Sequence, residues 1–137
     1  MAKKSAKGAS RAATDGRTKP GCAGCPALCC HDLVMPIPKP KNRAEVEELK
    51  WDLQYDTVRV FITSHRWHRL IEGRCIYLTR RNLCRIYKDR PQRCRRHNPP
   101  DCERYGDYWD VMLNTPEELE AYLDKEKRKR LARRRKR

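Results

Sequence analysis

The side chains in this sequence most able to do chemistry are its eight cysteines. Cys22, Cys25, Cys29 and Cys30 form C-x2-C-x3-C-C, in which turns can aim several sulfurs at one point within a single loop. Cys75, Cys84, Cys94 and Cys102 form a second group with gaps of eight, nine and seven residues. Thiolates suit zinc and iron–sulfur chemistry, whereas Mg or Ca takes oxygen ligands, which do not cluster here. Isolated buried cysteines often act as small hydrophobes. Four of them within nine positions point instead to metal ligation, and all eight are candidate ligands.

The spacing leaves the metal open between zinc and an iron–sulfur cluster. A zinc ribbon would pair two C-x2-C knuckles and a bacterial ferredoxin would show C-x2-C-x2-C-x3-C-P, and neither pattern is present. Eight thiolates divide into two four-thiolate zinc sites, or into one cluster plus spare or structural thiols. Adjacent Cys29 and Cys30 would point apart in an extended backbone, so either a turn converges them or they serve different metals or different irons. His31, His65, His68 and His97 are further potential donors, read mainly as surface or supporting residues because eight thiolates make a histidine ligand unnecessary. There is no Gly-rich phosphate loop, no H-E-x-x-H and no nucleophile with an identifiable base. No catalytic residue is assigned, and an enzyme is the weaker hypothesis.

The net charge of +15 suggests a nucleic-acid partner until it is divided along the chain. Residues 1–20 carry +5 and residues 125–137 carry +9, so the part between them is close to neutral. The basic ends would attract RNA or DNA non-specifically, with strong salt dependence. Within the body, residues 66–104 hold twelve basic and four acidic side chains, and residues 105–124 hold six acidic and no basic ones. Arg74, Arg85, Arg93 and Arg95 adjoin Cys75, Cys84 and Cys94. There they either favour thiolates or form an ordinary solvated surface.

The elements that must position the cysteines are short. Hydrophobic residues make up 38% of the chain and charged residues 37%, with one Phe, so a metal is expected to supply stability that a small core lacks. Residues 1–20 read as a disordered basic arm, 21–114 as a cysteine-cluster metal-binding domain, and 115–137 as a C-terminal helix with a basic tail. Pro36, Pro38 and Pro40 impose an extended connector. Asn42 with Glu45 predicts a helix start, with Val46, Leu49 and Leu53 at helical spacing to about Gln54. Strands are predicted at 57–62, 66–71 and 75–79, the last in a hairpin bringing Cys75 towards Cys84. The last four cysteines are expected at turns or element ends. Thr115, Pro116 and Glu118 start a second helix, expected to fray from Lys127 onward. Trp51, Trp67 and Trp109 are expected in the core. The fold class is thus α+β, a small metal-stabilised cysteine-rich domain with two helices, short strands and disordered basic tails.

There is no apolar run long enough to cross a membrane. The start of the chain lacks the apolar stretch of a secretory signal, so a cytoplasmic location is expected, where eight cysteines are not read as four disulfides.

The sequence resembles the zinc- or iron-chelating CxxCxxxCC family, the YkgJ-like cysteine cluster proteins. The likeness rests on Cys22-Ala-Gly-Cys25-Pro-Ala-Leu-Cys29-Cys30, on Arg74-Cys75-Ile76-Tyr77-Leu78, and on Cys84-Arg85-Ile86-Tyr87-Lys88-Asp89-Arg90-Pro91-Gln92-Arg93-Cys94-Arg95. Cys102, before Arg104-Tyr105-Gly106, matches a late cysteine of the family, and the whole resemblance covers about residues 21–109. It implies a metal-chelating domain, related to the cysteine-rich part of flagellin lysine methylases, with an iron–sulfur-like site. It implies no methylase activity here, because no S-adenosylmethionine-binding region is evident. Where the family usually places an aromatic after Cys-Arg, this chain has Arg96 and His97. The expected function is therefore chelation of iron, as an iron–sulfur cluster, or of zinc. The alternative is a nucleic-acid-associated accessory protein with structural zinc and basic tails.

Overall fold

The chain forms an α+β fold in the computed structural model, which describes residues 27–96 and 109–137. The arm expected at 1–20 lies outside the described residues. The elements are β1 (Asp32–Ile37), α1 (Arg43–Asp52), β2 (Val58–Thr63), β3 (Arg66–Glu72), α2 (Gln92–Arg96), β4 (Val111–Leu113) and α3 (Pro116–Arg135). The strands form one sheet in the order β1-β3-β2-β4.

β2 pairs antiparallel with β3 from Val58↔Ile71 to Thr63↔Arg66, and with β4 from Val60↔Leu113 to Ile62↔Val111. Because side chains alternate across a strand, Val60 and Ile62 share a face with Trp67 and Leu113. The two-residue turn joining β2 to β3 needs positive φ at both positions, and Ser64 and His65 adopt it at 48° and 65°. The expected strands at 57–62 and 66–71 are therefore present, joined by a turn that lacks the usual Asn-Gly signal.

Both long helices begin at the predicted caps. Asn42 Oδ1 accepts from the Glu45 amide at 2.9 Å, and Thr115 Oγ1 accepts from the Glu118 amide at 3.2 Å. In each case the acid reaches back one residue beyond the cap: Glu45 Oε2 accepts from the Lys41 amide and Glu118 Oε2 from the Asn114 amide, both at 2.6 Å. These contacts satisfy amides that a helix start otherwise leaves unpaired.

The contacts divide the chain into two compact units. One takes in Val34–Ile71 and Val111–Arg137 and has a conventional apolar core. Leu49 and Leu53 of the α1 region and Leu119 of α3 pack with Val60, Ile62, Trp67 and Leu113 of the sheet, and Val46, Tyr122 and Leu123 flank them. Fully burying a side chain such as Leu119 contributes about 1.5–3 kcal/mol, so this core is substantial for so few residues. The Arg69 guanidinium bonds to Asp52 at the end of α1, and Lys50 bridges to Glu120 of α3 at 2.7 Å.

The other unit takes in Met1–Leu33 and Glu72–Asp110, and the five described cysteines all belong to it. Among its described side chains, the buried apolar ones are Ala27 and Leu78. Ile76 and Leu83 are exposed.

Several expectations are corrected. Residues 75–79 form turns rather than a strand, with one isolated bridge between Leu78 and Cys84. Cys94 lies inside a short helix, α2, that the Arg90-Pro91 punctuation concealed. β4 has three residues, too few to show a period. α3 does not fray at Lys127 but continues to Arg135. Its acidic first turn and basic last turn both oppose the helix dipole favourably, and Lys, Arg, Ala and Leu are strong helix formers. Trp67 is in the core, but Trp51 is exposed, meeting Tyr55 edge-on at 5.4 Å, and Trp109 is half-buried.

Candidate metal centre

The first described cysteines sit in a 3-10 turn, Leu28–Cys30. Ala27 enters it in the left-handed region, with φ of 59°, and the Cys30 amide closes it on the Ala27 carbonyl at 2.9 Å. Within this turn the Cys29 side chain acts on the Cys30 thiol as a hydrogen-bond partner. Alanine gives no sequence signal for the left-handed backbone that opens the turn.

The second cysteine group is tied to the first through the main chain. The Cys75 amide donates to the Cys30 carbonyl at 2.8 Å, and the Gly73 amide donates to the His31 carbonyl at 2.8 Å. Beyond Cys75 the chain folds tightly back on itself. Leu78 N donates to Cys75 O at 3.1 Å, Arg85 N to Tyr77 O at 2.9 Å and Thr79 N to Leu83 O at 2.8 Å, with Asn82 left-handed at the tip. This places Cys84 across from the buried Leu78. The 3-10 turn Tyr87–Asp89 then leads through Arg90 and Pro91 into α2, where the Cys94 amide donates to the Pro91 carbonyl at 3.0 Å.

Two of the arginines beside the cysteines, Arg74 and Arg95, brace loop carbonyls, and Arg90 does the same. Arg74 donates to the carbonyls of Leu78 and Thr79 at 2.8 and 3.1 Å. Arg90 donates to Tyr87 O at 2.8 Å while its guanidinium lies 3.8 Å above the Tyr87 ring. Arg95 reaches back to the carbonyls of Arg90 and Lys88. Side chains thus supply, to loop carbonyls, the partners that regular structure supplies elsewhere.

The electrostatics of Cys30 join the groups chemically. Burial pushes its thiol above the ordinary cysteine range; the hydrogen bond from Cys29 opposes this, and the nearby Cys75, Cys84 and Cys94 push it further up. A bound cation would oppose this by favouring the thiolate form. Among the described residues, no group of three or more His, Cys, Asp or Glu side chains stands close enough to hold a metal ion. Soft sulfur donors from three separate segments fit zinc or iron in chemical type. None of the five described cysteines is in a disulfide.

Cys22, Cys25, Cys102 and His97 lie outside the described residues. His31 lends its carbonyl to the Gly73 amide. His65 sits in the β2–β3 turn, and His68 stacks on Phe61 at 4.7 Å, so neither belongs to the cysteine unit. No described helix is long and apolar enough to cross a membrane.

No curated protein and no solved structure matches the chain. A family model, CxxCxxCC, described as "Putative zinc- or iron-chelating domain", matches residues 21–111. That span takes in both cysteine groups and about two thirds of the sequence, so the metal-binding chemistry read from the thiols and the match coincide, and the chain belongs to this zinc- or iron-chelating domain family.

Proposed function

We propose that the cysteine unit chelates iron as an iron–sulfur cluster through thiolates drawn from Cys22, Cys25, Cys29, Cys30, Cys75, Cys84, Cys94 and Cys102. The observation that carries this reading is the main-chain bond from the Cys75 amide to the Cys30 carbonyl at 2.8 Å, which moors the two cysteine groups to each other in a chain of a zinc- or iron-chelating family. Eight cysteines exceed the four that a single structural zinc takes, which favours a cluster with thiols to spare. Bound there, a cluster would supply one-electron redox chemistry. The protein's own contribution is to hold the sulfurs together with main-chain bonds and arginine braces where apolar burial is scant.

The test is elemental analysis with a visible spectrum on untagged protein purified without oxygen. Iron with acid-labile sulfide and a brown chromophore supports the cluster. Stoichiometric zinc without colour would replace iron by closed thiolate zinc sites, and protein holding neither metal after reconstitution would defeat the chelating reading. The basic ends, in the same proposal, take a non-specific nucleic-acid partner by charge alone.

A further inference from the structure

α3 has two halves with opposite characters. The first docks on the core through Leu119, Tyr122 and Leu123 and carries Glu117, Glu118, Glu120 and Asp124. Beyond Glu126 every residue of the chain is exposed, and ten of the thirteen residues 125–137 are Lys or Arg. Glu126, the one acid among those thirteen, pairs with Lys129 at 3.2 Å and so offsets one of the ten positive charges.

The helical spacing distributes that charge around the axis. At about 100° per residue, Lys125, Lys129 and Arg133 lie on one side, Lys127, Arg130 and Arg134 on a second about 130° round the axis, and Arg128 and Arg135 on a third, so basic side chains encircle the helix. A helix that lies on a membrane needs an apolar face, and here the apolar side chains are Leu131 and Ala132 alone. A flat acidic protein surface would meet only part of that basic circumference. A groove with phosphates along both walls meets it on two sides at once. The major groove of B-form DNA is about 12 Å wide and admits a helix, whereas the A-form major groove is narrow.

We infer that the C-terminal half of α3 docks in the major groove of duplex DNA, its encircling basic side chains bonding the two phosphate walls without reading sequence. This refines the nucleic-acid association proposed above by assigning it to a folded helix, and it is independent of the metal assignment.

The experiment titrates the full chain, as purified with its metal, against a labelled mixed-sequence DNA duplex over a series of salt concentrations. The expected slope of log affinity on log salt is about −5, corresponding to about six phosphates. Replacing Lys127, Arg128, Arg130 and Arg134 by Gln, which keeps helix propensity, should reduce the slope's magnitude by about 4 and weaken binding at least about tenfold. Ala132→Pro keeps every charge but breaks the helix, and should also weaken binding severalfold. Affinity of the Gln variant within about twofold of the parent would overturn the inference. So would an Ala132→Pro variant that binds as the parent does, or equal or tighter binding to duplex RNA, anionic-lipid vesicles or polyglutamate. Metal content read on the same samples shows separately whether the chelating centre is intact.

Discussion

The main-chain amide of Cys75 donates to the carbonyl of Cys30 at 2.8 Å, fastening together one cysteine from each of the two groups in the sequence. The bond is made by backbone, so it does not depend on either sulfur. It fixes where the two thiols start from, and Cys75, Cys84 and Cys94 each act to raise the pKa of the Cys30 thiol, after burial as the main cause.

Cys30→Ser should therefore lose bound metal while leaving that main-chain bond in place. We expect metal content, measured by elemental analysis, to fall to less than half, with a similar loss for Cys84→Ser. Full retention in both variants would mean that the metal is held by other cysteines.

Removing the metal should affect the two units unequally. The unit with the described cysteines buries Ala27 and Leu78 as its apolar side chains among those described, while the other has a seven-residue core. Where metal supplies folding energy, chelation is expected to unfold what it held. Limited proteolysis after chelator treatment should cut first within 74–96 and spare 43–71. Simultaneous cutting in both would show that they unfold as one.

Leu119 is completely buried where α3 meets α1 and the sheet. Leu119→Ala should cost about 2–5 kcal/mol, since the cavity adds to the lost transfer energy. Urea denaturation followed by Trp67 fluorescence checks it. A cost under about 1 kcal/mol would mean that the site collapses around the smaller side chain.

The β2–β3 turn offers the opposite sign. Ser64 and His65 both hold positive φ, which costs a residue with a Cβ roughly 1–2 kcal/mol each. The pair Ser64→Asn and His65→Gly suits this turn type, and should raise the melting temperature. A lowered melting temperature would show that these side chains make contacts worth more than the backbone relief.

Lys50 is held by Glu120 at 2.7 Å and by Glu47 at 3.3 Å, and these hydrogen bonds, Glu120's first, raise its pKa above the ordinary lysine value. A raised lysine pKa stabilises the fold below the unfolded-state value, and that stabilisation disappears as pH rises through the folded-state value. The melting-temperature deficit of Glu120→Gln at neutral pH should thus shrink in strongly alkaline buffer. It should also shrink in high salt, because the pair is solvent-exposed. A deficit that persists in both would point to packing rather than charge.

Much of this was legible in the sequence. The caps at Asn42 and Thr115 are local contacts between a side chain and an amide three residues away, so residue types alone predict them. The β2–β3 hairpin announces itself through alternation, despite its unusual turn. β4 and α2 were not legible, being three and five residues long and formed where tertiary partners accept them. The persistence of α3 past Lys127 rests on the helix propensity of Lys, Arg, Leu and Ala and on the sense of the charges along the helix dipole, which outweigh the solvation that a charge run suggests.

For the site, composition and spacing indicated the chemistry: eight soft donors in two groups, of a type that suits zinc or iron. Only the tertiary structure decided that a left-handed Ala27 opens the turn carrying Cys29 and Cys30, that Cys75 is moored to Cys30 through the backbone, and that Arg74 and Arg95 brace carbonyls. The reason is physical. Ligand type is a property of single residues, whereas convergence depends on backbone dihedrals and long-range hydrogen bonds that no local pattern encodes.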